Sequence, residues 1–347
     1  MTKAAELAKM GEVLTNGQIG GRRNALVNGQ MQCWQRGTAF SGIANGLTYT
    51  ADRWVAFVAA GSAQAQVNQD TSVPEGFRYS LEFGRANGET DEVFQYVCQL
   101  LETQDSLQFA NKKVTFSFYA KAGANFSAAS SNINVKVSSG TGTDESSATF
   151  SGGPATGFTG NAVIVNATQA ITTTWTRYTF TGTVSASATQ IAVAIGYDPV
   201  GTAGADDNFY ITGCQLEEGS QATPFEHRSF GEELALCQRY HYRAGKAESA
   251  YTNFGQGWAT SATAGTIHIP LPVEMRAEPS VSINDVQVSD DANAAIDCSA
   301  IAVNAATGSR QLAVLEFTVA SGATQYRSYG LRGSNNTASH VSLDAEL

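Results

Sequence analysis

The chain has 347 residues, 15% of them charged against a usual figure of about 25%, and a formal net charge of −10. No Lys/Arg cluster is longer than the pairs Arg22–Arg23 and Lys112–Lys113, so nucleic acid and anionic membrane surfaces are excluded as partners for want of a basic patch. A hydrophobic content of 42% excludes a disordered chain, and no apolar run approaches the roughly 20 residues of a membrane helix, so no membrane insertion is expected.

The first element expected is a helix over residues 2–14, with Leu7, Met10 and Leu14 at a 3–4 spacing and charged residues on the other faces. At two heptads it is too short to stand alone, so it is read as an attachment helix that docks on its own copies, the body of the protein or a larger assembly, followed by a joint at Gly17, Gly20 and Gly21. The N-terminus carries Glu6 and Glu12 and has no apolar h-region, so it is not expected to be a secretory signal. Residues 25–37 read as a strand with polar breaks. Further strands are expected at Asp52–Val58, Arg78–Phe83, Val93–Leu101, Lys113–Ala120, around Ile133–Val137 and Tyr178–Phe180, at Ile191–Ile195 and at Phe209–Leu216. Lys113–Ala120 shows the signal at its cleanest, with Val114, Phe116 and Phe118 against Thr115, Ser117 and Tyr119. Residues 138–162, rich in Gly, Ser and Thr, read as a surface excursion between strands. About eight strands with short polar turns predict an antiparallel jelly-roll sandwich.

A second helix is expected at 230–240. Ser229 and Glu232 make a capping box, Phe230 and Leu234 a hydrophobic staple, and Leu234, Cys237 and Tyr240 or His241 the buried face. Just before it, Glu226 and His227 read as a hinge whose polar groups satisfy backbone. Strands resume at Thr266–Leu271, at Val281–Val288 around a turn at Asn284–Asp285, at Leu312–Val319 and at Tyr326–Leu331, giving a second, smaller β domain. The fold class expected is therefore all-β, a jelly-roll sandwich followed by a C-terminal β domain, with a short N-terminal and a short linking helix. The divisions fall at 1–23, 24–228, 229–245 and 246–347.

The five cysteines, Cys33, Cys98, Cys214, Cys237 and Cys298, form no C-x-x-C pair and are read as free thiols of a chain made in a reducing cytosol. None of the four histidines has metal-ligand spacing, and no nucleophile elbow, P-loop or dinucleotide fingerprint is present. The acidic pairs Glu217–Glu218, Glu232–Glu233 and Asp290–Asp291 are sequence neighbours. On a strand such neighbours point to opposite faces, so they cannot form a glycosidase dyad by themselves. No catalytic residue is assigned. Trp34, Trp54 and Trp175 lie in strand-like text and are read as core. Tyr251, Phe254 and Trp258 form a glycine-parted aromatic cluster, and Tyr326, Arg327, Tyr329, Arg332 and Asn335 add rings, guanidinium groups and an amide. A ring face stacks on the apolar side of a pyranose while such polar groups take its hydroxyls, so these eight are the candidate glycan or receptor contacts. Packing in a trimer interface is the competing role for Phe254, Trp258 and Tyr329.

Three phrases carry a family resemblance. They are Asn24…Asn28-Gly…Trp34-Gln-Arg-Gly-Thr with Tyr49-Thr-Ala-Asp-Arg-Trp54, then Phe209-Tyr-Ile-Thr-Gly-Cys-Gln-Leu-Glu-Glu-Gly through Cys237-Gln-Arg-Tyr-His-Tyr, and Leu271-Pro-Val-Glu-Met-Arg with Val341-Ser-Leu-Asp-Ala-Glu-Leu. In this order they resemble bacteriophage tail-fibre and virion-appendage proteins with a jelly roll like a carbohydrate-binding module. The resemblance implies a non-enzymatic virion structural protein, made in the host cytoplasm and assembled as a homotrimer. It would join other phage tail or virion proteins through its N-terminus and meet a bacterial surface polysaccharide. A soluble carbohydrate-binding module and a receptor-inert head or nozzle appendage are the alternatives. No cofactor is implied beyond a structural calcium. The jelly-roll relatives place its acidic ligands where this chain has Thr212 and Gly213, which leaves Asp206 and Asp207 as candidates.

Overall fold

The structure, a computed structural model, describes residues 22–44, 46–59, 64–146, 157–245, 249–290 and 295–347. The expected attachment helix with Leu7, Met10 and Leu14, and its glycine joint, lie outside the described residues. The chain forms two compact units, one ending at Phe230 and including Leu347, the other Gly231–Glu346.

The first unit is an antiparallel sandwich of jelly-roll type. One sheet has the order β1 (Ala39–Ile43), β4 (Ala65–Asp70), β5 (Ser80–Arg85), β12 (Asn208–Glu218), β7 (Lys113–Ala122), β10 (Thr176–Thr183). The other has the order β2 (Gly46–Tyr49), β3 (Val55–Val58), β6 (Gln95–Leu100), β11 (Gln190–Tyr197), β8 (Asn132–Gly140), β9 (Ala162–Ala170). Period-2 alternation places Val114, Phe116, Phe118 and Ala120 of β7 and Phe209 and Ile211 of β12 in the core. β11 is buried on both faces, because Ala192 and Ala194 join Val55, Tyr96, Cys98, Leu100 and Phe158 in a second apolar layer on the outside of its sheet.

Residues 25–37 form no strand. Asn28 and Met31 adopt φ of 57° and 55°, outside the extended region. The segment is held instead by a buried polar knot. Asn28 Oδ1 accepts the N–H groups of Gln32 and Cys33 at 2.9 Å each, and its Nδ2 donates to the carbonyls of Cys33 and Asp52 at 2.8 and 3.0 Å. Trp54, fully buried as expected, donates its indole N–H to Asn28 O. The other two tryptophans read as core are only half-buried. The strand expected from Asp52 starts at Val55, because Arg53 has φ 70°. β1, β2, β4 and β9 are strands that the sequence reading missed. At the hinge, Glu226 Oε2 accepts the N–H groups of Arg23 and Asn24, as expected.

Helix α2 spans Phe230–Gln238 (α1 is a single turn, Thr103–Ser106). It buries Glu233 and Cys237, while Phe230 stands 54% exposed and so does not act as a covered staple. The second unit is a closed barrel, β14 (Asn253–Ala259), β15 (Ala264–Pro270), β19 (Leu312–Val319), β18 (Ile296–Val303), β17 (Val286–Ser289), β20 (Ser328–Gly333), with a three-stranded sheet of β13 (His241–Ala244), β21 (His340–Asp344) and β16 (Ser280–Asn284). Asp285, at φ 44°, makes the expected turn between β16 and β17. Six strands enclose a narrow interior. A Cβ on Gly265 would lie 2.4 Å from the Phe317 ring, and one on Gly257 1.7 Å from the Thr266 carbonyl oxygen, so inward positions there must be glycine.

An ion pair with neither side chain exposed pins the sandwich: Arg85 Nε donates to Asp207 Oδ2 at 2.8 Å. The guanidinium also donates to the carbonyls of Asp91 and Gly201 and to Ser127 Oγ, while Asp207 accepts Ser127 N–H and Oγ–H. Removing either partner leaves a charge without water or counter-charge. Arg85→Met and Asp207→Ala are each expected to lose about 3–5 kcal/mol in urea unfolding. Lys112→Met, which breaks the half-exposed Lys112–Glu218 pair, is expected to lose under about 1 kcal/mol.

Candidate functional site

The outward face of the β1–β4–β5–β12–β7–β10 sheet carries a continuous row of polar and aromatic side chains. Register fixes its order. Asn68 of β4 pairs with Glu82 of β5, Glu82 with Tyr210 of β12, and Tyr210 with Lys121 of β7. Trp175 lies one step before Thr176, which pairs with Ala120, so its ring comes beside Lys121. One row therefore crosses the sheet: Asn68, Glu82, Tyr210, Lys121, Trp175. The next row on β12, β7 and β10 carries Thr212, Tyr119 and Arg177.

The row is wired together. Glu82 accepts Asn208 Nδ2 at 2.6 Å and Asn68 Nδ2 at 3.2 Å, and Tyr210 donates its hydroxyl to Asp206 Oδ1 at 2.9 Å. Lys121 Nζ lies 4.3 Å from the Tyr210 ring centroid and 5.7 Å from that of Trp175, and donates to Ser72 Oγ at 2.7 Å. One end of the face is walled by Phe77, whose ring is 5.5 Å from Tyr119 and 5.2 Å from both Phe225 and His227. Burial raises the Glu82 carboxyl above its ordinary 4.5; the Asn68 hydrogen bond offsets part of this, and the Asp70 and Asp206 carboxylates add to it. Burial likewise raises the Tyr210 phenol, with Glu82 next in effect, so Tyr210 stays a hydrogen-bond donor.

Asp207 and Asp206, the calcium candidates, are differently placed. Asp207 has its positive partner in the buried Arg85 guanidinium, and no cation is needed to balance it. Asp206 lies at the edge of the polar row, accepting Ala124 N–H and the Tyr210 hydroxyl.

The eight expected contacts in the second unit separate into two groups. Phe254 and Tyr329 are 9% and 4% exposed in the barrel core, where no glycan reaches them; Tyr329 instead accepts the Thr324 N–H on its hydroxyl. Their rings are needed to fill the interior of a barrel whose other inward positions include glycine. Tyr251, Trp258 and Tyr326 are exposed, Arg332 lies over the Tyr251 ring, Arg327 pairs with Asp290, and Asn335 occupies a turn at φ 51°. Trp258 lies in a barrel strand and not in a loop.

Sequence reasoning missed Asn68, Glu82, Lys121, Trp175 and Tyr210. The signal was present in β7, where each outward residue from Thr115 to Lys121 is polar or a tyrosine, and Lys121 itself falls just beyond the expected strand end.

No family model and no curated protein matches the chain. Among solved structures, the chain is similar to a family 4 carbohydrate-binding module (16% identity, TM-score 0.32, covering 55% of this chain and 98% of that one). It is also similar to the C-terminal family 22 carbohydrate-binding module of Clostridium thermocellum Xyn10B (16%, 0.32, 53% and 99%). A third similarity is to the enzymatically active domain of tailspike protein 4 of bacteriophage CBA120 (12%, 0.31, 56% and 21%), of which the chain spans about a fifth. These likenesses are to an all-β fold and carry no argument about the ligand. Among the described residues, no helix is long and apolar enough to cross a membrane.

The Glu82 carboxyl is expected to titrate above 4.5 by side-chain carbon-13 NMR. Asp206→Asn is expected to draw it part of the way down, since the larger cause, burial, remains. The folded value exceeds the unfolded one. The contribution of Glu82 to stability is therefore fully present below about 4.5 and is lost as pH rises through the folded value.

Proposed function

We propose that this protein binds polysaccharide on the outward face of the β1–β4–β5–β12–β7–β10 sheet, without catalysis. The observation that carries the reading is the transverse row Asn68, Glu82, Tyr210, Lys121, Trp175. It sets the half-buried Trp175 ring, at the β10 edge of the sheet, beside the Lys121 ammonium, with the Tyr210 hydroxyl, an amide and a carboxylate following on the inner strands. Rings supply stacking area at low entropic cost, and the polar groups take and give hydrogen bonds to hydroxyls. The surface is complete within one chain.

The finer reading is a bacteriophage virion appendage, a trimeric fibre that meets a glycan of the host surface. The ordered phrases running from Asn24 to Leu347 support it, as does a low-charge, all-β chain. Three-fold assembly would present each weak glycan site three times and raise the total affinity through avidity. Light scattering of the untagged protein separates this from a lone binding module. The appendage reading expects three times the chain mass of 36.5 kDa, with adsorption to host cells; a single chain mass without adsorption overturns it.

The glycan reading is tested by electrophoresis through gels containing xylan, β-glucan, galactan or bacterial capsular polysaccharide. At least one gel is expected to retard the protein. Trp175→Ala is expected to weaken that retardation about tenfold or more with the thermal midpoint unchanged, because the ring is half-buried on the surface and not in the core. Retardation by none of the gels, or equal retardation of the variant, overturns the reading.

A further inference from the structure

Among the described residues of the second unit, the exposed large apolar side chains are Tyr251, Trp258 and Tyr326, at 46%, 43% and 79% exposure. All three are rings that carry a polar atom. In the first unit the corresponding residues are Leu47, Leu107, Val163, Val200 and Phe230. The three rings follow one ribbon of the barrel, β14 paired with β20. Trp258 pairs with Ser328 across one edge and with Thr266 across the other, and His268 stands edge-on to its ring at 5.2 Å. Tyr326 donates its N–H to Ala259 O, next to Trp258. Tyr251 lies at the far end under the Arg332 guanidinium, 5.5 Å from the ring centroid. Between the rings, Gln256 faces outward opposite Gly330. A Cβ placed on Gly330 meets nothing closer than 3.5 Å, so the floor of the ribbon is low there.

Tyr326 is the informative residue. Its φ is +64°, a conformation that costs a bulky L-residue about 1–2 kcal/mol. With 79% of the side chain in water, burial returns almost nothing. Glycine or asparagine would hold the same turn more cheaply. Folding gives no reason for a tyrosine at this position, and strain retained on an exposed ring is the kind of feature found at ligand contacts.

We propose that this ribbon is a second glycan-contact surface. Trp258 and Tyr326 stack on sugar rings, Gln256 and Ser328 meet hydroxyls, and Tyr251 with Arg332 extends the track roughly 20 Å along the strand. The occupant is a polysaccharide and not a second copy of the chain. The three rings are parted by Asn253, Gln256, Ser328 and glycine, so they offer no contiguous apolar patch of the several hundred Å² that a protein interface centres on. This surface stands on its own residues and does not depend on the sandwich row.

The test is fluorine NMR of the full chain carrying 5-fluorotryptophan at Trp34, Trp54, Trp175 and Trp258, assigned by single Trp→Phe variants. The probes are cello-, xylo-, manno- and chitohexaose. At least one is expected to shift the Trp258 resonance saturably, and to do so equally in Trp175→Ala. Tyr326→Gly is expected to weaken that shift about tenfold while leaving the thermal midpoint unchanged or higher. A Trp258 resonance that no probe moves overturns the proposal, and if the Trp175 resonance moves in the same titrations, the sandwich reading survives alone. A Trp258 shift on raising protein concentration without sugar assigns the ribbon to a second copy and also overturns it. So does a fall in thermal midpoint for Tyr326→Gly, which would give the ring a structural role.

Discussion

A strand that buries Phe209 and Ile211 cannot also bury Cys214 and Leu216 unless one residue is added between them, and in β12 that residue is accommodated at Gly213. Against β7, Thr212 pairs with Tyr119 and Gln215 with Ser117, three steps against two. Gly213 takes φ +62°, and a Cβ there would lie 2.7 Å from the Phe77 ring. The bulge sets both faces at once. Below it the core receives Cys214 and Leu216; above it the outward side receives Tyr210 and Thr212. The backbone it displaces turns to the segment after Arg23, where Cys214 N–H donates to Gly29 O, Asn24 Nδ2 to Cys214 O, and Ala25 N–H to Leu216 O. A Cβ on Gly29 would lie 2.2 Å from Cys214 O, so that approach needs glycine too. The phrases Asn24…Asn28-Gly29 and Thr212-Gly213-Cys214 are two halves of one structural joint.

Function follows from where the rigid parts lie. β12 and β7 are central strands, and the Arg85–Asp207 pair locks the start of β12 to β5. Tyr210 and Tyr119, mounted there, keep their orientation, and Trp175, just before the edge strand β10, is steadied by Lys121 of β7. The Lys121 ammonium rests against the Tyr210 and Trp175 rings and gives that part of an otherwise acidic face a positive charge. The Glu82 carboxylate receives amide donors from Asn68 and Asn208. The barrel has a different economy. Its narrow interior takes glycine at Gly257 and Gly265 and rings at Phe254, Phe317 and Tyr329, while Tyr251, Trp258 and Tyr326 stand outside.

Much of the fold was legible in the sequence. Alternation located β7, β11, β19 and the first half of β12, and low charge with many Gly, Ser and Thr turns gave the all-β class. Three of the four edge strands of the sandwich were not legible. β1 and β2 are only five and four residues long and β9 opens on the unbroken apolar run Ala162–Val165, so none shows alternation, and β4 alternates only weakly. Residues 25–37 misled in the other direction. Their apolar residues pack as in a strand while the backbone leaves the extended region, a conformation held by the distant partners Asp52, Trp54 and Cys214. The candidate site was legible only in part. Tyr251, Trp258 and Tyr326 stood out through their glycine and polar neighbours, but Phe254 and Tyr329 shared that signal and turned inward. The sandwich row went unseen because Asn68, Glu82, Lys121, Trp175 and Tyr210 come from five separate segments, and only register brings them into line.

The most direct measurement is a crystal structure with an oligosaccharide retained from whichever polysaccharide binds. A sugar ring is expected to lie on Trp175, with hydroxyl contacts to Glu82 and Asn68 on the outward face of the sheet. A sugar bound only elsewhere on the sandwich, with this row untouched, would contradict it.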